Sequence, residues 1–467
     1  MTRPDSYDAI ILGTGQAGKP LAGALASAGW RVAVVERDRV GGTCVISGCT
    51  PTKTMVASAR VAHLARRAAE YGVRTGEVSV DLEVVRERKR RIVDAWSESS
   101  RKGLERHDTV ELIAGEGAFR SPREVEVRLK DGGRRLLTAP RIFVNTGTRT
   151  ATPEIPGLHE VEFLDSTSIM ELTEVPEHLV VLGGGFIGLE FGQMFRRFGG
   201  QVTILEAGER LLPREDDDVA AALLEILRDD GITIQLGAEV SSVAPTGAGI
   251  GVEVELRGDA GEGERLAGSH LLVATGRTPA TGALNPHAAG LSVTGRGFLE
   301  VNDRLETNVP GIYALGDVNG GPPFTHVAYD DYRVVRDNLL GGGGGTRAAR
   351  MVPYTLFTDP QLGRVGLTER QARERGLPVR VATLPMSRVA RAVETDETRG
   401  LMKAVVHASS RRILGAAILG VEGGEVMSVL QVAMMGDLPY TALRDGVFAH
   451  PTLAESLNNL FMTLDPG

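Results

Sequence analysis

The chain has 467 residues and a formal net charge of −8, so nothing in it calls for nucleic acid or an anionic membrane as a partner. No apolar run approaches the roughly 18 residues of a membrane span, and Met1 to Asp8 lack the charged and apolar regions of a secretion signal. A cytoplasmic protein is expected, too long for one core and divided into about three domains.

Asp8 to Leu12 is a short apolar run, and Gly13-Thr14-Gly15-Gln16-Ala17-Gly18 follows at once. A helical stretch to Gly29 and a second strand, Arg31 to Val35, lead to Glu36. Strand, glycine turn, helix, strand and acid form a dinucleotide fingerprint in its proper context. Gly13, Gly15 and Gly18, with Gln16 and Ala17 between them, let backbone N–H groups approach a pyrophosphate. Glu36 can accept from a ribose hydroxyl.

The only two cysteines of the chain, Cys44 and Cys49, come next, in Gly41-Gly42-Thr43-Cys44-Val45-Ile46-Ser47-Gly48-Cys49-Thr50-Pro51-Thr52-Lys53. A regular helix holds residues at this spacing too far apart for a disulfide, which wants Cα atoms roughly 4.4–6.8 Å apart. Gly48 supplies the freedom to bend the chain there. Pro51 suits the first turn of a following helix, and Cys49 near its N-terminus gains thiolate stabilisation from the macrodipole. Two buried core cysteines or half a metal site are the bland alternatives. Zinc wants four ligands, there is no further Cys, and His63 and His107 show no paired spacing, so no metal is expected. In a reducing compartment a lasting structural disulfide is disfavoured, which leaves a redox-active pair that opens and closes in turnover.

Pro51 to Tyr71 and Asp81 to His107 read as long helices, and Val110 to Leu129 as hairpin strands before Arg141 to Gly147. The fingerprint then repeats. Leu179 to Leu182 is a strand, Gly183-Gly184-Gly185-Phe186-Ile187-Gly188 the turn, Leu189 to Phe198 the helix, and Gln201 to Leu205 the next strand, with Glu206 at its end. Two such sites imply two cofactors, and a flavin with a nicotinamide is the economical pairing. Glu206 would repel a 2′-phosphate, so NADH is preferred; nearby Arg210 keeps NADPH as the alternative.

Leu271 to Arg277 closes the second nucleotide fold, and Gly311 to Asp317 is an apolar strand ending in Gly-Asp. Asp317 there is either a plain turn residue or a carboxylate that holds a polyol such as ribitol. Gly341 to Gly345 reads as a flexible linker or loose surface loop. Beyond it, strands are expected over Met351–Thr358, Gly363–Leu367, Val379–Leu384, Leu401–His407 and Arg412–Ile418. Helices are expected over Val421–Met435 and Ala454–Leu464, giving an antiparallel sheet with helices on one face. His450 precedes Pro451, and Glu455 comes within reach of it if the chain turns into a helix at Thr452. A carboxylate on one imidazole nitrogen fixes the tautomer and raises the basicity of the other.

Together, Gly-Gly-Thr-Cys-x4-Cys-x-Pro-x-Lys, the two glycine turns, Ala274-Thr275-Gly276-Arg277, Gly316-Asp317 and His450-Pro451-Thr452-Leu453-Ala454-Glu455 resemble the class I pyridine nucleotide–disulfide oxidoreductases over essentially the whole chain. The resemblance implies an α/β fold with two Rossmann-like dinucleotide-binding domains and a C-terminal α+β dimerisation domain. The expected divisions are 1–150 for the first part of an FAD domain, 151–277 for NAD(P), 278–345 for the return of the FAD domain, and 346–467 for dimerisation. It implies that Gly42, Thr43, Thr146 and Gly147 join the first turn, Glu36 and Asp317 in holding FAD, and that Gly276 joins the second turn and Glu206 in holding NAD(P)H. Cys44 would be the thiol that attacks substrate and Cys49 the thiol against the flavin. Lys53 and Glu190 match an ion pair beside the flavin's reactive nitrogen. The protein would be a homodimer, with His450 and Glu455 of one subunit completing the site of the other.

Within that family the likeness is greatest to mercuric reductase-like members, through Cys49-Thr50-Pro51-Thr52-Lys53-Thr54, Arg388 to Ala392 and Thr398-Arg399-Gly400. The C-terminal cysteine pair of dedicated mercuric reductases is missing from Phe461 to Gly467, and Ile46-Ser47 departs from the family's usual Asn before a small residue. Electron flow from NADH through FAD to the Cys44–Cys49 disulfide and on to a disulfide or dithiol acceptor, a small molecule or small thiol, is therefore expected. The alternatives are reduction of Hg(II) or Cu(II), a diaphorase using the flavin alone, and a structural subunit whose flavin does not turn over.

Overall fold

The computed structural model describes residues 4–246, 252–256 and 263–465. The extreme ends, Met1 to Arg3 and Pro466-Gly467, on which part of the reading of the termini rests, lie outside the described residues. The chain divides into two units: Met1–Met55, Glu83–Ala151 and Gly276–Arg350 form one, and Val56–Leu82, Thr152–Thr275 and Met351–Gly467 the other.

The first unit is built on an eight-stranded sheet. Its strands Val32–Glu36, Ala9–Leu12, Arg141–Val144 and, at the edge, Ile312–Ala314 run parallel. Ala9–Leu12 is buried at every residue, as a parallel strand covered on both faces must be. One face of the sheet packs Ile10, Leu12, Ala33 and Val35 with Phe119 and Leu299. The alternate residues Ala9, Ile11, Val32 and Val34 pack against Leu21, Leu25 and Val335 on the other face. The expected hairpin is present as Val110–Ser121 and Glu124–Leu129, and Arg134–Thr138 extends it antiparallel.

Four helices follow in the first third of the chain: α1 (Gly18–Ser27), α2 (Gly42–Ile46), α3 (Cys49–Arg67) and α4 (Leu82–Glu105). The sequence reading begins α3 at Pro51 and has no α2. The chain in fact turns helical at Gly42, breaks at Ser47–Gly48, and restarts at Cys49, with Pro51 in the first turn where its missing N–H costs nothing. Gly341 to Gly345 is not a loose loop. Gly341 N donates to Asp337 O at 3.1 Å, and Asn338 Nδ2 donates to Gly345 O at 2.9 Å, which folds the run back on the helix Thr325–Leu340.

The second unit holds a parallel four-stranded sheet in the order Thr233–Leu236, Gln201–Glu206, His178–Leu182, His270–Val273. A small antiparallel sheet of Val240–Pro245, Val252–Leu256 and Arg265–Gly268, absent from the sequence reading, shares its core through Leu158, Val180, Val254 and Leu271. Its other part is an antiparallel sheet ordered Tyr354–Leu356, Gln361–Gly366, Ile413–Gly420, Leu401–His407, Val379–Pro385, with helix Gly423–Met435 packed on it. The helix after the second glycine turn starts at Phe186, three residues ahead of the expected Leu189, because Gly185 is itself the N-cap. The last helix starts at Ser456, later than expected.

No helix among the described residues is long and apolar enough to cross a membrane.

Candidate functional site

Each glycine turn is shaped by one backbone requirement. Gly13 has φ +101°, and a Cβ there would lie 2.5 Å from Asn145 O; Gly183 has φ +104°, with Ala274 O at 2.7 Å from its Cβ position. Only glycine takes that conformation at that approach without strain. Gly15, Gln16 and Ala17 complete the first turn, and Gly18 opens α1. Gln16 Nε2 donates to Gly41 O at 3.3 Å. Glu36 braces the turn, accepting from Thr14 N at 2.9 Å and Thr14 Oγ1 at 2.6 Å. Glu206 does the same in the second unit, accepting from Gly184 N at 2.7 Å and Gly208 N at 2.8 Å, while Phe186, Ile187 and Gly188 begin the helix. Arg210 is engaged by the carboxylate of Asp217. Gly276 belongs to the first unit, where it precedes strand Arg277–Pro279.

A dinucleotide fits the first turn on this structure's own evidence. Thr146 Oγ1, directly after the strand Arg141–Val144 and Asn145, is buried without a hydrogen-bond partner. An orphaned hydroxyl at the carboxyl end of a parallel sheet, beside a glycine turn, is what a bound phosphate or ribose would satisfy. Gly147 follows it, with φ +65°. Asp317 stands just past the end of strand Ile312–Ala314 and accepts from Thr148 Oγ1 at 3.1 Å. Burial pushes its carboxyl above the ordinary range, against the smaller opposing pull of Thr148 and Arg277. The Asp317 side chain is half-buried.

The cysteines lie at the junction of α2 and α3. Gly42, at φ +67°, seats α2 on the turn: a Cβ on it would stand 2.5 Å from Gly15 Cα. Thr43 O accepts from Ser47 N at 3.0 Å and closes the bend. Cys44 is half-buried on α2 and Cys49 exposed as the first residue of α3, and no disulfide joins them. The two thiols share a hydrogen bond, and this is the largest of the influences that push the Cys44 thiol far above the ordinary thiol range, burial being the next. Cys49 Sγ also lies 3.2 Å from Thr325 Oγ1, and the Thr325 hydroxyl pulls Cys44 down in turn. Thr325 opens the helix Thr325–Leu340, a helix the sequence reading does not contain, and so Thr325 was missed. Lys19, the second residue of α1, is another missed neighbour whose charge opposes the rise at Cys44.

Lys53 sits one turn beyond Cys49 on α3, in the first unit. Glu190 is buried in the second unit, where Oε1 accepts from Phe357 N at 2.9 Å. His450 and Glu455 do come together: Nδ1 of His450 lies 2.8 Å from one carboxylate oxygen of Glu455 and 3.0 Å from the other. They meet through a turn, Thr452 Oγ1 donating to Ala449 O and accepting from Glu455 N, and not through a helix begun at Thr452. The imidazole is exposed and its Nε2 faces outward from the pair. Among the described residues no cluster of ligating side chains suits a metal ion.

Residues 7–331 match the family model described as pyridine nucleotide-disulphide oxidoreductase, and residues 352–461 that family's dimerisation domain. The probable pyridine nucleotide-disulfide oxidoreductase RclA of Escherichia coli is 41% identical over 98% of this chain and 99% of its own length. A mercuric reductase of Bacillus cereus is 36% identical over 98% of this chain and 72% of its own. The solved Cu(II) complex of the HOCl-induced flavoprotein disulfide reductase RclA from Escherichia coli superposes with a TM-score of 0.90 at 40% identity, covering 98% of this chain and 99% of that one. A fold of two dinucleotide-type sheets and a dimerisation domain, with a thiol pair seated on the first glycine turn, thus has close relatives along its whole length. The chain belongs to the pyridine nucleotide–disulphide oxidoreductases and is a flavin-dependent enzyme of that family.

Proposed function

We propose that the enzyme takes reducing equivalents from NADH and delivers them through Cys44 and Cys49 to a small disulfide. The observation that carries this reading is the thiol pair itself: two sulfurs sharing a hydrogen bond, one half-buried and one at a helix N-terminus, on the turn that fits a dinucleotide. Residues 1–150 and 278–345 would hold FAD through Gly13, Gly15, Gly18, Glu36, Thr146 and Asp317, and 151–277 would hold the nicotinamide nucleotide. FAD, when bound, supplies the two-electron chemistry between the hydride donor and the thiols. Lys53 and Glu190 are read, from the family, as an ion pair at the flavin. NADH is preferred over NADPH because Glu206 occupies the ribose end of its strand and Arg210 is already held by Asp217.

The outward half-reaction needs only this chain's residues. The Cys44 thiolate attacks one sulfur of the acceptor, forming a mixed disulfide and expelling the first thiolate, which takes up a proton. The Cys49 thiolate then attacks Cys44 Sγ, releasing the second thiol and closing the Cys44–Cys49 disulfide. Every exchange needs a protonated leaving group, and we assign that proton to His450, held by Glu455. In a homodimer, His450 and Glu455 of one protomer would serve the thiols of the other.

A second reading is favoured by the solved Cu(II) complex of a relative and by the mercuric reductases. The same dithiol can give two electrons to two Cu(II) ions, or to one Hg(II), as it closes to the disulfide and releases two protons.

Anaerobic NADH and NADPH titration of the flavin-loaded enzyme, followed by lipoamide, glutathione disulfide, a quinone, Cu(II) and Hg(II) as acceptors, tests both. A long-wavelength absorbance band on two-electron reduction, with disulfide turnover lost in Cys44→Ser, is the expected result. Disulfide turnover undiminished in Cys44→Ser would sink the reading. Turnover confined to Cu(II) or Hg(II), and lost in the same variant, would select the second reading. Quinone turnover alone, unaffected by loss of both thiols, would leave only a diaphorase.

A further inference from the structure

Four consecutive acids, Glu215 to Asp218, lead into the helix Asp217–Asp229 of the second unit, and each is held differently. Glu215 is buried against Arg364 of the strand Gln361–Gly366. Asp216 accepts from the backbone N–H groups of Glu369 and Arg370, at 3.0 and 3.1 Å. Asp218 pairs with Lys403 Nζ of the strand Leu401–His407 at 2.9 Å. The chain on both sides of Asp217 is therefore pinned to the C-terminal sheet and the helix Glu369–Glu374. Asp217 itself has its side chain 83% exposed, and it pairs with Arg210. An exposed pair adds little to stability. What it does fix is the place of the Arg210 guanidinium.

Arg210 ends the loop that leaves Glu206, the acid at the end of the strand Gln201–Glu206. Glu206 is bonded to both sides of the ribose end, to Gly184 N of the glycine turn and to Gly208 N of the loop. The loop lies along the turn: a Cβ on Gly184 would meet Leu211 Cδ2 at 2.7 Å, and one on Gly208 would stand 3.6 Å from Arg210 O. The turn leaves room for a pyrophosphate, since a Cβ on Gly185 would meet nothing within 4 Å. Arg210 is thus a cation four residues from the ribose acid, on a loop in contact with the nucleotide turn. Both terminal nitrogens of its guanidinium are engaged elsewhere, Nη1 by Asp217 and Nη2 by donating to Pro213 O at 2.6 Å. Arg370 shares these partners, with Nη1 3.8 Å from Asp217 Oδ1 and Nη2 donating to Pro213 O at 2.7 Å.

The two nicotinamide nucleotides differ at the ribose. A free 2′-hydroxyl is a donor for Glu206, whereas a 2′-phosphate is an anion that a guanidinium takes with paired N–H groups. We propose that Asp217 is a specificity-determining residue for the nucleotide: by holding Arg210 it withholds a cation from the ribose end, and exchange of this one carboxylate for an amide opens the site to 2′-phosphorylated nucleotides. Asp217 acts through Arg210 and is a positioning residue. The proposal rests on the reading of NADH as the donor bound at the second glycine turn.

The test uses full-length, flavin-loaded enzyme and two probes without nicotinamide, adenosine 2′,5′-bisphosphate and adenosine 5′-monophosphate, with binding followed by calorimetry. Asp217→Asn leaves the N-cap Asp216 in place and is expected to improve the ratio of bisphosphate to monophosphate affinity about tenfold. Glu206 remains and still repels the phosphate, which bounds the gain. The KM for NADPH should fall relative to that for NADH in the same variant. In an Arg210→Gln background the Asp217→Asn exchange should bring no gain, whereas in an Arg370→Gln background the gain should persist. A structural defect would weaken both probes and leave their ratio unmoved. An unchanged ratio in Asp217→Asn overturns the proposal. So does a gain that survives Arg210→Gln, because the carboxylate would then act by its own repulsion or through Arg370. Faster flavin reduction by NADPH than by NADH in the unaltered enzyme is a separate failure, that of the preference for NADH. The proposal is still judged by the change in ratio between enzymes that differ at residue 217 alone.

Discussion

Asn145 is the side chain on which the first dinucleotide turn hangs, and replacing it gives a measurable account of that claim. It stands just past the strand Arg141–Val144, buried, with its backbone N–H donating to Leu12 O at 2.8 Å. Its Oδ1 accepts from Gly18 N at 2.9 Å, and its Nδ2 donates to Leu315 O at 2.8 Å. One amide therefore ties the start of α1 to the end of the strand Ile312–Ala314, across separations of 127 and 170 residues. Asn145→Ala removes both side-chain bonds and leaves a buried donor and a buried acceptor. At about 1–3 kcal/mol per unsatisfied group, the loss should be about 2–6 kcal/mol, with water entering the gap pulling it towards the lower figure. The chain's two tryptophans, Trp30 and Trp96, both lie in the first unit, so tryptophan fluorescence in urea follows that unit while circular dichroism follows the whole. The expected outcome for the flavin-free protein is a fluorescence midpoint lowered by that amount, with flavin affinity reduced. Asn145→Asp keeps an acceptor for Gly18 but sets a second one against Leu315 O. It should cost at least as much at neutral pH and recover in acid, because its carboxyl is held above the ordinary range in the folded state and protonation restores a donor. A loss below about 0.5 kcal/mol for Asn145→Ala would refute the assignment of the turn's geometry to this amide, since even one net hydrogen bond is worth more than that on average.

Two further perturbations follow from buried charge. In the second unit Arg364 holds Glu215 at 2.5 Å with both side chains almost fully buried, and the Tyr354 hydroxyl donates to the same carboxylate. Arg364→Leu leaves a buried carboxylate without its cation and should cost about 3–5 kcal/mol in the dichroism transition; adding Glu215→Gln should return part of that loss, and no recovery would mean that packing, not charge, was lost. Burial raises the Asp317 carboxyl, so its ionisation opposes folding of the flavin-free protein: the stability it permits is complete below the unfolded carboxylate range and falls as pH rises through the raised value. Asp317→Asn should therefore stabilise the flavin-free first unit by about 1 kcal/mol at neutral pH, give no gain below about pH 4, and weaken flavin binding; a gain equal at both pH values would be evidence against ionisation as its source.

What could be read from the sequence divides along a physical line. Gly13 to Gly18, Gly183 to Gly188 and the stretch around Cys44 and Cys49 are legible because their requirements are local. A left-handed glycine, a helix start and an apolar strand are written in adjacent residues, and the structure places each of them as an element boundary. The helices from Cys49 and Phe186 start ahead of the apolar pattern because turn residues are already helical, while the last helix starts late, at Ser456, because Ala449 to Glu455 are held in a turn by Thr452. Asn145, Lys19 and Thr325 are not legible, because what matters about them is a contact made across the chain. Thr325 lies 276 residues from Cys49 in sequence. An asparagine after a strand or a threonine before a helix has no signature that sets it apart from the many that only cap a turn.

This division bears on the chemistry as well as the fold. The spacing of Cys44 and Cys49, with Gly48 between them, is enough to say that the two sulfurs meet. It does not say which of them carries the charge once they are reduced. Position at the N-terminus of α3 argues for Cys49, and so does the strong upward pressure on Cys44 from its neighbour's sulfur and from burial. The opposing pull comes from Thr325 and Lys19, two residues on two other helices, and neither belongs to the thiol motif. Relatives that keep the motif while changing those two positions would therefore share the electron path and differ in the reactivity of the outward thiol. Exchanging Lys19 and measuring the ratio of disulfide to Cu(II) turnover would test this: a disulfide needs the Cys44 thiolate as a nucleophile, so its rate should fall more than that of a one-electron acceptor, and an unchanged ratio would show that the charge on Cys44 does not govern the choice.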